Sequence, residues 1–267
     1  MPKITNDQRD TAILAAVQED LAQCAVPVRG DIADAHAVVL SRIARPGTWW
    51  TGAERIAIAA ESRAANTCPF CVERKQALSP YTIEGKHTID PLTEGVLTEP
   101  IIGMVHMMVT DVTRITKKAI EDLADTGFTD GHYVEALGIV VAMRSMDQTN
   151  RGLGVPLHAL PSPVAGDPTR ARPGPLVDDE AYVPMLARQE PHAPDEDLWG
   201  EDFAKTIPNV ARALSLVPDA VRDWFELSDA QYIPAGKFGA VTEGRNLSRA
   251  QIELVAARVS ALNDCFY

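Results

Sequence analysis

Ten of the nineteen prolines in this 267-residue chain lie between Pro156 and Pro208, and this clustering constrains the fold more than any other feature. Proline offers no backbone N–H and disfavours helix in the residue before it. The stretch from Pro161 to Pro194 is therefore expected to be a long irregular connection and not a helix. The sequence divides into a helical domain over residues 1–160, a proline-rich irregular connection over 161–206 that is free to lie against the domain surface, and a second helical segment over 207–267.

On both sides of the connection the apolar residues recur at a helical period. Asp7 to Val26 places Ile13, Leu14, Val17 and Leu21 on one face, and Asp31 to Ala44 repeats the pattern with Ile32, Val38, Val39 and Ile43. Thr51-Gly52-Ala53-Glu54 reads as a capping box before an alanine-rich helix that runs to about Ala65. Pro69 suits a first helical turn, so a new helix is predicted from about Cys68. Asp111 to Ala124 and Asp130 to Met146 read as two more helices, and the period returns at Asn209, from Val221 to Tyr232 and from Leu247 to Asn263. Alternating β-branched runs bounded by turns are missing. The expectation is an all-α fold with at least six helices and little or no sheet.

A net charge of −12 repels phosphate backbones and anionic membrane surfaces, which excludes nucleic acid as a partner. The N-terminal Met1-Pro2-Lys3-Ile4-Thr5-Asn6-Asp7 lacks the apolar core of a signal peptide, and no apolar run approaches the roughly 18 residues that span a bilayer. The cytoplasm is the default location. Four cysteines, Cys24, Cys68, Cys71 and Cys265, are too few to scaffold a chain of this length. In a reducing compartment a Cys-x-x-Cys pair is more often catalytic or metal-binding.

The chain also repeats itself. With an offset of 197, Thr51 aligns with Ser248 and Glu54 with Gln251, so both segments open on a capping box. Ala53, Ala59, Ala60, Ala64, Asn66 and Cys68 then fall on Ala250, Ala256, Ala257, Ala261, Asn263 and Cys265. The alanine matches carry little weight in helices, whereas the Asn-x-Cys match and the shared capping box carry more. The second copy reaches Cys265-Phe266-Tyr267, one residue short of the partner of Cys71. Three readings stay open: the gene product continues past an in-frame selenocysteine codon, the chain is cut at this point, or the second copy is vestigial.

Glu253, eleven residues and then Cys265 resembles the motif of the carboxymuconolactone decarboxylase and alkyl hydroperoxidase D superfamily, in which a glutamate, eleven residues, Cys-x-x-Cys and three residues precede a histidine. The first copy is similar in altered form: Cys68 and Cys71 match the two cysteines, while Ile56 stands at the glutamate position and Lys75 at the histidine position. The resemblance covers roughly Trp49 to Leu160 and Asn209 to Tyr267, with an incomplete second copy. It implies an all-helical, usually oligomeric fold. It further implies that Cys68 and Cys71 reduce hydroperoxides, that Glu253 is a relay acid, and that Cys265 belongs to a second, partial site. His106, in the apolar stretch Met104 to Met108, falls on a helix that two-copy relatives place near the dithiol.

Read from the residues alone, Cys68 and Cys71 share one helix face, and the helix N-terminus favours an anion there, which lowers a thiol pKa. A thiolate attacks the O–O bond of a peroxide to give a sulfenic acid, a neighbouring thiol condenses with it to a disulfide, and an external reductant reopens the bridge. Lys75, on the same face, would stabilise a thiolate by its charge, or is simply solvated beside Arg74. Glu54 reads as a capping residue, Glu61 as a possible substitute relay acid, Cys24 as a core thiol, and Trp49-Trp50 as packing at a helix entrance. Of the remaining histidines, His36, His87, His132, His158 and His192, none stands out. Zinc needs four ligands, and no second cysteine pair or Cys/His cluster with ligand spacing is visible, so neither metal nor cofactor is assigned.

The leading functional reading is a thiol-dependent peroxidase or dithiol–disulfide oxidoreductase acting with a hydroperoxide substrate and a thiol or protein reductant, assembled as a homo-oligomer. The alternatives are a decarboxylase-like lyase and a redox-inactive oligomerisation or binding module.

Overall fold

A computed structural model describes residues 6–178, 181–187, 198, 209–233, 246–263 and 265. His192, with the other residues of 188–197 and 199–208, and the C-terminal Phe266 and Tyr267 lie outside these residues. Helices α1 (Asn6–Leu21), α2 (Gly30–Ile43), α3 (Gly52–Ala64), α4 (Pro69–Gln76), α5 (Glu99–Thr110), α6 (Lys117–Glu121) and α7 (Asp130–Leu153) form the first part. Helices α8 (Asn209–Arg212), α9 (Pro218–Gln231) and α10 (Arg249–Leu262) follow the connection. The strand content among the described residues is one antiparallel pair, β1 (Leu176–Val177) with β2 (Met185–Leu186). The fold is mainly helical, as the apolar period predicts, and no described helix is long and apolar enough to cross a membrane.

The longest helix, α7, lies at the centre and packs on α3, α5 and α9, while α2 packs on α1 and α9. Ala57, Ala59 and Ala60 of α3 are buried with Ile58, and the small side chains let α7 approach closely enough to enclose Val134, Met143 and Met146. The capping box expected at Thr51 is formed: the Glu54 N–H donates to Thr51 Oγ1, and the Thr51 N–H donates to Glu54 Oε2. The far end of α3 is tied down by Arg63, which donates to both Asp147 carboxylate oxygens at 2.9 and 2.7 Å and to the His158 carbonyl at 2.9 Å. A buried Arg55–Glu135 ion pair locks the same helix to α7.

Part of the proline-rich connection lies on the surface of this bundle. The Val164 N–H donates to the Ala44 carbonyl, and Thr169 and Arg170 donate to the carbonyls of Gly47 and Thr48. This strap passes so close to the start of α3 that a Cβ at position 52 would run into the Val164 and Ala44 carbonyls, which accounts for Gly52. The continuous helix expected over Asp111 to Ala124 is instead broken. A 3-10 turn at Val112–Arg114, the short α6 and a 3-10 turn at Ala124–Thr126 replace it. The reason is local: Thr116 is an N-cap, its Oγ1 accepting from the Ala119 N–H, so the chain restarts there and does not continue from Asp111.

The capping boxes expected at Thr51/Glu54 and at Ser248/Gln251 are both formed. Their surroundings differ. Most of α3 is buried, whereas α10 has no buried residue and exposes Leu254, Val255, Val259 and Leu262.

His132 closes a third capping box at the start of α7, its Nδ1 lying 3.2 Å from the Thr129 N–H that donates to it. Burial, followed by the adjacent Arg170, pushes this histidine down to about 4. A histidine depressed in the folded state takes up its proton more readily in the unfolded chain, so its contribution is complete above about pH 6.5 and is lost as the pH falls toward 4. Between about pH 7 and pH 5 we expect this group to remove on the order of 1–2 kcal/mol of stability. His132→Gln keeps a capping side chain without the titration. Denaturant melts at the two pH values should therefore show a smaller pH difference for the variant than for the parent protein.

Candidate functional site

The site is built where α3 gives way to α4. After α3 a single 3-10 turn, Ala65–Thr67, reverses the chain, and Cys68 becomes the N-cap of α4 with Pro69 in the first helical position. Pro69 fits because that position needs no N–H donor. Cys71 then sits in the first turn. Both sulfurs point inward: Cys68 is fully buried and Cys71 is 5% exposed.

Two histidines from outside the motif close over this pair. His106, on α5, places Nδ1 3.1 Å from Cys71 Sγ. His87, in the loop between α4 and α5, places Nδ1 3.3 Å from Cys71 Sγ and 3.9 Å from Cys68 Sγ. The next residue, Thr88, donates its N–H to Cys68 Sγ at 3.4 Å. The two imidazoles lie against each other with centroids 4.2 Å apart, and Phe70 packs on His87 at 5.0 Å. Gly85 lets the loop pass over the Phe70 ring, since a Cβ there would come within 2.7 Å of Cδ2.

Behind His106 stands Glu61, in the last turn of α3. Both side chains are fully buried, and Glu61 Oε1 lies 2.6 Å from His106 Nε2. The second carboxylate oxygen accepts the Asp90 N–H at 3.1 Å. Burial alone would raise the Glu61 pKa, but the hydrogen bonds from His106, Thr93 and the Asp90 N–H outweigh it and hold the carboxyl below its ordinary value. An ionised carboxylate only accepts hydrogen bonds. His106 Nε2 therefore donates to Glu61, and Nδ1 faces Cys71 Sγ. The result is a continuous chain Glu61–His106–Cys71, with Cys68 and His87 beside it.

Electrostatics here run against the expectation of an acidic dithiol. Burial first, then the neighbouring Cys68, pushes the Cys71 thiol up to about 12. Burial, then His106 and Arg74, pushes His87 down to about 4. At neutral pH the site is therefore a protonated Cys71 thiol facing uncharged His87. The one free turn of helix dipole does not overcome the loss of water around the second sulfur.

Of the residues expected from sequence, Cys68, Cys71 and His106 come together, joined by Glu61. Lys75 is exposed on α4 and makes no hydrogen bond or ion pair among the described residues. Glu253 accepts from the Tyr232 hydroxyl at 2.5 Å and pairs with Arg249 at 3.4 Å, and Cys265 is exposed. Ile56, at the motif's glutamate position, is a core residue. Cys24 is half-buried, with Sγ 3.5 Å from the Leu153 carbonyl. Comparison with protein-family models, curated proteins and solved structures gives no match for this chain.

His87 is the member of the site that the sequence reading passes over. One signal points to it: fifteen residues separate Cys71 from His87, inside the Cys-x2-Cys-x12–15-His window of metal sites. The following histidine, His106, comes eighteen residues later instead of three to five. A local motif therefore does not contain it, and only the packing of α5 on α3 and α4 brings it in.

In chelator-treated, reduced protein we expect no thiolate absorbance from Cys71 up to about pH 9, as a thiol pushed to about 12 requires. The measurement is the ultraviolet difference titration of the parent protein against Cys71→Ser. A Cys71 thiolate appearing near neutral pH would contradict the environment described.

Proposed function

We propose that this chain is a dithiol peroxidase in which Cys71 attacks the hydroperoxide and Cys68 resolves the product. The observation that carries the reading is the buried Glu61–His106–Cys71 chain, which places a base at 3.1 Å from a thiol whose own acidity is suppressed. A sulfur that cannot ionise in advance needs its proton removed during the attack, and an imidazole fixed by a carboxylate does this.

The steps follow. Cys71 Sγ bonds to the terminal oxygen of the hydroperoxide as His106 Nδ1 takes the thiol proton and the O–O bond breaks. The leaving alkoxide takes that proton from His106 and departs as an alcohol, and Cys71 becomes a sulfenic acid. Cys68 Sγ then attacks the Cys71 sulfur, hydroxide leaves and takes up the Cys68 proton as water, and the two sulfurs join as a disulfide. His87 Nδ1, 3.9 Å from Cys68 Sγ and 3.3 Å from Cys71 Sγ, carries that second proton in this scheme. The bridge is opened by an external thiol or dithiol reductant, which restores both thiols and is itself oxidised. With Cys71 only slightly exposed, the site suits small hydroperoxides. This follows the oxidoreductase branch of the family resemblance, with Glu61 in place of the missing motif glutamate and His106 in place of the histidine that Lys75 replaces.

Three variants test the reading in a coupled peroxide-reduction assay. Cys71→Ser should abolish turnover. Cys68→Ser should allow a single equivalent of peroxide to be consumed, leaving a sulfenic acid that a dimedone probe labels. His106→Gln, if its helical circular dichroism is preserved, should lower kcat/KM by roughly 10²–10⁴-fold. Turnover that survives in the Cys68→Ser/Cys71→Ser double variant would overturn the assignment.

Assembly belongs to the same reading. The exposed apolar side chains of α10 each leave roughly 1.5–3 kcal/mol of burial unused. We expect a homo-oligomer by light scattering at micromolar concentration, and a monomeric mass would contradict it.

A further inference from the structure

We infer that Cys68, Cys71, His87 and His106 form a closed tetrahedral site for zinc, one ion per chain. The inference goes beyond the peroxidase reading and does not rest on it.

Four donor atoms of the right kind converge. One ligand atom from each residue, two sulfurs and two imidazole nitrogens, lies within 4.8 Å of all the others. A zinc ion bound by thiolate at about 2.3 Å and imidazole at about 2.0–2.1 Å sits in a tetrahedron with edges of roughly 3.3–3.8 Å. The separations of 3.1 Å (Cys71 to His106), 3.3 Å (Cys71 to His87) and 3.9 Å (Cys68 to His87) are close to those edges. Small movements of side chains on α4 and the 83–90 loop bring the four onto one centre. An S2N2 tetrahedron is the donor set that favours zinc over magnesium, calcium or manganese, which take oxygen ligands.

The surroundings are those a metal site needs. His106 Nε2–H is held by Glu61 at 2.6 Å, the carboxylate–histidine arrangement that fixes the ring and directs Nδ1 toward an ion. Glu61 is itself held by the Asp90 N–H, and Cys68 Sγ already accepts the Thr88 N–H, a bond that strengthens when the sulfur is an anion. Two thiolates and a divalent cation sum to zero charge, so the centre can be buried without an unpaired ion. All four positions are filled by protein, which leaves no place for an activated water. The ion would therefore be structural or regulatory and not hydrolytic.

Zinc and the dithiol reaction exclude each other at these sulfurs. The occupied site holds both as ligands, and forming the Cys68–Cys71 disulfide removes two of the four. Oxidation of the occupied site by a hydroperoxide consumes two protons and gives disulfide, alcohol, water and free zinc, the peroxide being the two-electron acceptor.

The test uses the reduced full-length chain, stripped with a chelator, checked for retained helix, and reloaded with Zn2+ or Co2+. We expect one zinc per chain by elemental analysis. The cobalt form should show tetrahedral ligand-field absorption with thiolate-to-cobalt charge transfer. Cys68→Ser and His87→Gln should each weaken binding and change that spectrum. Glu61→Gln should keep its shape while lowering affinity by roughly 10–100-fold. Adding hydroperoxide to the zinc form should release the metal to a colorimetric chelator. Zinc uptake equal to that of a Cys68→Ser/Cys71→Ser variant, or a six-coordinate cobalt spectrum, would overturn the inference. A protein that reduces peroxide but takes up no zinc would overturn it while leaving the peroxidase reading intact, and one that binds zinc but never reduces peroxide would do the reverse.

Discussion

A carboxylate with no exposed surface governs the arrangement of this site. Glu61 sits at the inner end of α3, where an unpaired ion would cost several kcal/mol. The chain meets that demand by bringing it the His106 imidazole from α5 and the Asp90 N–H from the loop before α5. Those two contacts fix much else. They orient the imidazole and hold down the loop whose neighbouring residues, His87 and Thr88, reach the sulfurs.

The rest of the fold serves the position of α3. Its start is held by a capping box and by the Val164 strap, its middle by the Arg55–Glu135 pair and a buried alanine face, and its end by Arg63 on Asp147 and the His158 carbonyl. A rigid α3 carries Glu61 and, one 3-10 turn later, the dithiol. The same loss of water that strengthens the Glu61–His106 hydrogen bond raises the Cys71 thiol. The site thus keeps the Cys71 thiol protonated, and in the functions proposed above a peroxide attack assisted by His106 or an incoming cation takes that proton.

Much of this was legible in the residues and some was not. The helical period, the capping boxes at Thr51 and Ser248 and the Cys68–Cys71 pair are local patterns, set by interactions within a few positions, and they appear in the structure. His106 was reachable because a family resemblance placed its helix near the dithiol, and Glu61 because its spacing allowed it. His87 was not, since its membership depends on where a loop crosses the start of α4. The direction of the Cys71 shift was not legible either. A position near a helix N-terminus argues for an acidic thiol, but the depth of burial that reverses it is a property of tertiary packing. Asp111 to Ala124 reads as one helix on composition, and only the capping action of Thr116 shows where it restarts. On α10, Glu253 fits the motif by spacing yet partners Tyr232 and Arg249, which no sequence period reveals.

The central claim is that Cys71 loses its proton to His106 during attack and not beforehand. Its most direct test is the stopped-flow rate of Cys71 oxidation by a small hydroperoxide in metal-depleted protein, recorded between about pH 6 and pH 9. If the buried relay removes the proton within the step, the second-order rate constant stays nearly level across that range. If the reaction waits for free thiolate from a thiol pushed to about 12, the rate climbs about tenfold with each pH unit, and the account given for this site is contradicted.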